Sequence, residues 1–366
     1  MGTARIELID KLTVTNKLSD KDMAELLKYR NSETTEYIFN QALRIKENFY
    51  DKKIFIRGTI ELSNYCKNDC YYCGLQRSNK FITRFRLDEN DIIQYCVNGY
   101  EKGIRTFVLT GGDDYYFTEN RVASIISMIK TNFPDCAVQL CLGERPVSSY
   151  KKWFAAGATR YLLWHETAND NHFKKIHPAD MSLLKRKQAL WQLKEIGYQV
   201  GSGFMVGTPY QTVADVVEDL AFIKTLDPQI VHITPFLPTT HTKFEHERSG
   251  NGDMILYLMG IVRLMLPRVL LTADPTLENV MADARKKSFA AGANEVFASL
   301  ASDEVKNYFN VYNKRHNFKN CSGDDVARMQ QKITESGNIA AVEVGNYIYP
   351  PKEEKLYGQI HRIMRP

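Results

Sequence analysis

The sequence predicts an α/β protein: a (β/α)8 barrel of the TIM type, with an N-terminal helical extension and a short C-terminal tail. Two observations carry this. Eight short β-rich runs alternate with stretches of helical character. Polar and glycine residues also collect at the same end of successive runs, where a parallel barrel carries its chemistry. A doubly wound open sheet is the main competitor, but no GxGxxG follows the first strand to favour it. The expected organisation is a helical extension over 1–50, the barrel over 51–301 and a C-terminal extension over 302–366.

The elements follow in order. In "LSDKDMAELLKYR", Ser19 is placed to cap a helix, with Asp22 three residues on and Met23, Leu26 and Leu27 on one face. A second helix is expected from about Glu33 to Phe49. The eight strands are "KIFIRGTIEL", "RTFVLTG", "AVQLCLG", "TRYLLW", "QVGSGFMVG", "QIVHITPF", "RVLLTA" and "NEVFAS". Between them, "LDENDIIQYCVNGYEKG", "RVASIISMIKTNF", "SLLKRKQALWQLKEIG" and "TVADVVEDLAFIKTL" read as helices. From about Ser302 the pattern loosens to one more helix, "SGDDVARMQQKITESG", and a short apolar run, "IAAVEV".

Composition removes some classes of function. The net charge is +5, and the 48 basic residues are interleaved with 43 acids, so no nucleic-acid stripe forms. No apolar run approaches the roughly 18 residues of a membrane helix, and the N-terminus has no secretory apolar segment. The seven cysteines do not resemble the disulfide framework of a small secreted domain. A cytoplasmic, reducing setting is expected.

Three of those cysteines, Cys66, Cys70 and Cys73, lie in "CKNDCYYC" just after the first strand. Structural zinc wants four ligands, commonly two separated C-x2-C pairs, and there is no second pair. A disulfide plus one free thiol is a further alternative. A 4Fe–4S cluster wants one ligand for each iron. Three thiolates would leave one iron open for a small molecule. Cys96 falls in a helix, Cys136 and Cys141 flank the third strand, and Cys321 stands alone near the C-terminus.

The C-x3-C-x2-C spacing resembles the signature of radical S-adenosylmethionine (radical SAM) enzymes. Together with "RFRLDENDII", "YLLWHETAND", "LKEIGYQVGSGFMVGTPYQT" and "PFLP", it is similar to the biotin-synthase-like group of that superfamily. Within the group the similarity is greatest to the FeFe-hydrogenase maturases HydE, then to the methylornithine synthases PylB. The resemblance implies one 4Fe–4S cluster on Cys66, Cys70 and Cys73. SAM would chelate the open iron and be cleaved reductively to a 5′-deoxyadenosyl radical that acts on a small-molecule substrate. An electron donor such as ferredoxin or flavodoxin is implied, and for a HydE-like enzyme maturation partners as well. Tyr72 and Met205 would lie by the adenine. Gly112 and Asp113 would meet the SAM amino group, with Asp standing where Glu is more usual. Glu166 would bind the ribose or amino end, and Arg186 the carboxylate. Arg186 could instead lie on a solvated face, and His165 could be a core residue. Glu144 would face the barrel mouth, and Cys141 would be buried packing. No second cluster is expected.

Three functions follow: a HydE-type maturase, an amino-acid mutase of the PylB kind, and a non-catalytic cluster scaffold. The scaffold would have no use for Asp113, Glu166 and Arg186. The substrate positions depart from both relatives. Trp164 stands where HydE proteins carry an arginine, and "TADPT" replaces a Thr-Thr pair. The PylB substrate residues align with His232, Asp274 and Thr276. These substitutions point to a pocket in which Asp274 faces a cationic or amine-bearing group. The alternative is that Asp274 caps a helix starting at Pro275.

Overall fold

The computed structural model describes residues 2–309, 311 and 325–350. Eight parallel strands form a closed barrel: β1 (Lys53–Ser63), β2 (Thr106–Gly111), β3 (Ala137–Cys141), β4 (Ala158–Leu162), β5 (Gln199–Val206), β6 (Ile230–Pro235), β7 (Leu270–Ala273) and β8 (Glu295–Ser299). Closure falls on β1, where Gly58 pairs with Phe107 of β2 on one side and Ala298 of β8 on the other. Each of the eight predicted runs forms a strand.

Alternation along the strands divides outside from inside. Ile60, Leu109, Val138, Val231, Leu271 and Val296 belong to one continuous apolar core beneath the helices. Their neighbours, among them Arg57, Glu61, Thr110, His232 and Asp274, therefore point into the barrel. The helix Gly252–Met265 is buried on nearly every face, as its sequence "MILYLMGIVRLM" requires. The N-terminal helices cover its outer side, and Asn16 Nδ2 donates to the Leu264 carbonyl at 2.7 Å. Ser19 caps Asp20–Lys28 through the Asp22 amide, and Met23, Leu26 and Leu27 are buried, as the sequence indicates. The second helix runs Ser32–Tyr50. Among the described residues no helix is long and apolar enough to cross a membrane.

The barrel floor shows what the loosened C-terminal pattern conceals. A ninth strand, β9 (Ile339–Ala341), pairs in parallel with Lys53–Phe55 of β1. The chain then turns under the barrel and offers carbonyls to two fully buried arginines. The Arg57 guanidinium donates to Val344 O and, at 2.9 Å, to Gly345 O. It also pairs with Glu295 at 2.8 Å. Arg160 donates to Gly345 O at 3.0 Å and to Asn346 Oδ1 at 2.9 Å. Burial, and Arg57 beside it, pull the Arg160 guanidinium down to about 9. The carbonyls thus stabilise charge that the core alone could not hold.

Gly345 makes this closure fit. Its φ is +59°, and a Cβ there would drive into the Phe55 ring. Gly345→Ala is expected to cost about 1–3 kcal/mol of stability through left-handed strain and overpacking. Urea unfolding checks this, and an unchanged midpoint would mean that the segment does not seal the floor.

Candidate active site

The three cysteines sit in a loop that leaves β1 at Ser63 and returns at Arg86, where a single antiparallel bridge closes it. It has no helix or strand of its own, so side chains must hold its carbonyls. Arg84 takes four of them. Its Nη1 donates to Asn64 O and to Leu75 O at 3.0 Å. Its Nη2 donates to Gln76 O at 2.7 Å and Asn79 O at 3.0 Å. Asn64, fully buried, donates to Thr83 O and Tyr308 O and accepts from the Phe85 amide. Within the loop, the Cys73 amide donates to Cys70 O at 3.1 Å, and the Gln76 amide to Cys73 O at 3.1 Å.

The three thiols are half-buried and free; Cys141 is also half-buried and free, and Cys96 and Cys136 are free and buried. Cys321 lies outside the described residues, and with it part of the expectation of no second cluster. Burial pushes the Cys66 thiol up, and pushes Cys73 up to about 12 with help from Cys66; the Arg84 charge opposes both rises. Burial and Cys73 push Cys70 up strongly. Crowded thiols of this kind keep their protons until a metal replaces them. Three mutually repelling sulfurs beside a fixed guanidinium therefore suit an iron–sulfur cluster.

Gly112 follows β2 directly under this loop. A Cβ on it would strike Tyr65 O and lie 3.0 Å from the Cys66 Cβ. The next residue has charged partners within the protein. Asp113 was expected at an ammonium group, but Lys67 Nζ lies 2.8 Å from its carboxylate and Arg145 Nη2 lies 3.2 Å away. Its short side chain is held between these two cations. Asp114 takes a bidentate grip from Arg86 at 2.7 and 3.0 Å and accepts from Ser63 Oγ at 2.7 Å. Both acids tie the cysteine loop to β2 and β3.

Across the mouth, β4 ends in a strained turn. The His165 and Glu166 amides both donate to Gly203 O at 3.1 Å, and Glu166 has φ +67°. This aims the Glu166 carboxyl inward. Burial pushes it up to about 7, against the pull of Arg186 and Tyr72. Its Oε1 lies 3.9 Å from Arg186 Nη1, while Oε2 has no partner among the described residues. Arg186 is buried rather than on a solvated face. It pairs with Glu144 at 2.6 Å and donates to Trp164 O at 3.1 Å. Tyr72 and Met205 pack with Ile176, Phe236 and Phe244, touching Cys70, Cys73 and Trp164. An apolar wall thus stands beside the cysteines and a charged cluster, Glu144–Arg186–Glu166, stands next to it. The unpaired Glu166 oxygen and this wall suit a bound SAM, with its polar amino-acid end and flat adenine.

His165 belongs to the core. Its Nδ1 is 3.0 Å from Ser202 Oγ, its Nε2 is 3.4 Å from Asp219, and burial pulls it down to about 3. Cys141 ends β3 facing the lumen and is half-buried rather than packed away.

Inside the barrel, Asp274 does not face open space. Its Oδ1 accepts from the Thr276 amide at 2.6 Å and from the Thr276 hydroxyl, capping the short 3-10 helix Pro275–Asn279. Its Oδ2 meets His232 Nε2. The helix-cap alternative therefore describes this residue, and its other oxygen is taken by a histidine rather than left for a substrate. Thr276 Oγ1 lies 2.9 Å from Thr234 Oγ1. His232 lies against Trp164, with ring centres 4.5 Å apart, and Phe297, at 5.5 Å. A cavity of about 840 Å³ includes Thr59, Glu61, Thr110, Phe297 and Ser299 in its lining. Sequence reasoning gave no role to Arg84, Lys67, Arg145, Phe297 or His177, whose Nε2 lies 3.1 Å from the Tyr72 hydroxyl. Only the density of basic residues around the cysteine motif hints at the first two.

Known proteins were compared with this chain. Residues 60–223 match the model of the Radical SAM superfamily. The "[FeFe] hydrogenase maturase subunit HydE" of Thermotoga maritima is 34% identical over 306 residues, covering 84% of this chain and 87% of that protein. The 3-methylornithine synthase of Methanosarcina acetivorans is 28% identical over 305 residues, covering 82% and 85%. The crystal structure of methylornithine synthase (PylB) superposes with a TM-score of 0.78 at 24% identity, covering 91% of this chain and 97% of that one.

The Arg84 grip generates a prediction. Lysine keeps the charge but loses the planar fork, and each charged hydrogen bond is worth about 1.5–3 kcal/mol. Arg84→Lys should therefore load well below the roughly four irons of one cluster and lose iron faster on chelator challenge. Full loading with unchanged loss would show that the loop holds its shape without this residue.

Proposed function

The chain belongs to the radical SAM superfamily, and on that footing we propose that it is a HydE-like enzyme. Cys66, Cys70 and Cys73 hold a single 4Fe–4S cluster, and SAM lies between that loop and the Glu144–Arg186–Glu166 group. The observation that carries this is the half-buried cysteine loop gripped by Arg84, facing a carboxylate oxygen with no partner. Together, cluster and SAM supply the one-electron chemistry that yields methionine and a 5′-deoxyadenosyl radical.

The protein's own side chains bind, orient and exclude water. Tyr72 and Met205 form the apolar face for the adenine. Arg186, with a rigid fork already turned toward the mouth, holds the SAM carboxylate. Glu166 accepts from the ribose or ammonium end. Asp113 acts through Lys67 and Arg145 to keep the loop in place, a positioning role rather than a direct contact. Trp164, His232 and Phe297 lie deeper, where the substrate is held.

The 34% identity to a maturase over most of both chains supports a role in FeFe-hydrogenase cofactor maturation, or in a diverged relative of it. A cytoplasmic setting, a ferredoxin or flavodoxin donor and maturation partners belong to this proposal. Expression in a strain lacking its own HydE tests the maturase role: restored hydrogenase activity supports it, and no restoration by a protein that cleaves SAM points to a diverged substrate.

Two predictions follow from the site. Protein carrying Cys70→Ala, reconstituted anaerobically and given dithionite and SAM, should form no 5′-deoxyadenosine; turnover at the wild-type rate would contradict the cluster assignment. Glu166→Gln and Arg186→Ala should each weaken SAM binding about tenfold or more. Burial pushes the Glu166 carboxyl up to about 7. A cationic or hydroxyl partner favours its charged form, so wild-type SAM affinity should rise with pH through about 7 and then level off. The Gln variant should lack that rise. Titration of SAM at several pH values gives both readings.

A further inference from the structure

The eight strands are not joined equally, and the shortest seam lies beside the substrate layer. β8 pairs with β1 as far as Thr59 and Ser299. With β7 it pairs only through Thr272–Glu295 and Ala273–Val296. Above Ala273 the chain leaves the sheet. Asp274 caps the 3-10 helix Pro275–Asn279, and Pro275 at its start has no amide proton to offer β8. Thr276 Oγ1, 2.9 Å from Thr234 Oγ1, ties this short helix to β6, on the side of β7 away from β8. Phe297 and Ser299 therefore run on without a β7 partner among the described residues.

The flanking helices part at the same seam. Ala284–Ala290 packs on β7 and the 3-10 helix, and Asp325–Glu335 packs on β8 and β9. The cavity of about 840 Å³ lies between them, the size of a small-molecule cleft. Its inner end is lined by Thr59, Glu61, Thr110, Phe297 and Ser299 in the lumen. Its outer end reaches the exposed residues Lys286, Lys332 and Glu335. Phe297 joins it to the substrate layer, with its ring centre 5.5 Å from that of His232.

The two ends of the barrel offer no comparable route. The floor is sealed by the Val344 and Gly345 carbonyls on Arg57 and Arg160. The mouth holds the cysteine loop and the Glu144–Arg186–Glu166 group, the place assigned above to cluster and SAM. The outer end of the seam carries both signs of charge. Arg285 pairs with Glu278 at 3.4 Å, Arg328 pairs with Asp325 at 3.0 Å, and Lys332 lies 3.9 Å from Glu278. Interleaved bases and acids give no single-signed field, so the seam does not select a solute by its charge.

We infer that the β7–β8 seam is a side entrance, through which a small polar solute reaches the substrate layer while SAM occupies the mouth. This rests on the radical SAM reading for what fills the mouth.

The test uses the full chain with its cluster reconstituted, under anaerobic conditions. Thr59→Cys places a thiol on the inner end of the cavity, and iodoacetamide, small and neutral, is the probe. Peptide mass spectrometry follows labelling at position 59 with and without saturating SAM. The thiol should be labelled in the SAM complex at nearly the rate seen without SAM. Adding Ser299→Phe at the inner end, or Met281→Trp nearer the outer end, should slow labelling of the SAM complex at least about tenfold, to what local opening allows. Iron content and SAM affinity, measured on each variant, report whether the site is still assembled, and the two substitutions stand on different elements so that distortion of one does not decide the result. Protection of the thiol by SAM, no labelling in either state, or unslowed labelling in both double variants would overturn the inference while leaving SAM cleavage standing. A protein that binds no SAM would overturn the radical SAM reading of the mouth instead, and the slowing by the two substitutions would still decide the entrance.

Discussion

A loop without regular secondary structure must present three thiols at fixed positions, and here a single guanidinium meets that demand. Arg84 gathers the carbonyls of Asn64, Leu75, Gln76 and Asn79, residues that flank the cysteines on both sides. A backbone that is not in a helix or sheet has no internal use for those carbonyls, and leaving them buried and unmet would cost several times the net worth of a hydrogen bond. The same charge lies close enough to favour thiolate at Cys66 and Cys73. Loop shape and sulfur chemistry thus depend on one side chain.

The rest of the mouth extends this design. Lys67, inside the cysteine motif, reaches Asp113 after β2, and Arg145 after β3 reaches the same carboxylate. Arg86, at the loop's return, clamps Asp114. The loop is therefore tied to two neighbouring strand ends by ion pairs on two buried carboxylates, whose value lies in fixing geometry more than in net stability. On the opposite side, Arg186 draws Glu144 and Glu166 together, and Glu166 holds its place through a left-handed turn after β4. Strain of this kind is tolerated where the surrounding bonds, here three backbone hydrogen bonds to β5, overdetermine the turn.

Much of this was legible in the sequence, for identifiable reasons. Eight β-rich runs separated by amphipathic helices leave few other folds, and three cysteines in eight residues announce themselves. Arg186 was ambiguous because Lys185 and Lys187 flank it. Only the helix register shows that Lys185 is exposed while Arg186 is buried. The family resemblance points Asp113 at a ligand, and the departure of "TADPT" from the relatives points Asp274 at one. The partners that occupy them come from elsewhere in the chain, Lys67 and Arg145 from loops and His232 from β6, and no local pattern encodes such a pairing. The barrel floor was hidden for a similar reason. A three-residue strand and a few carbonyls carry no periodicity, yet they stabilise Arg57 and Arg160.

The central claim is that one loop supplies three thiolates to four irons and leaves the last iron to SAM. Mössbauer spectroscopy of protein reconstituted with 57Fe tests it directly. Addition of SAM should move the signal of about one iron in four and leave the others in place, as a cluster with a single open iron requires. A spectrum that SAM does not alter, or one that shifts uniformly, would contradict the account.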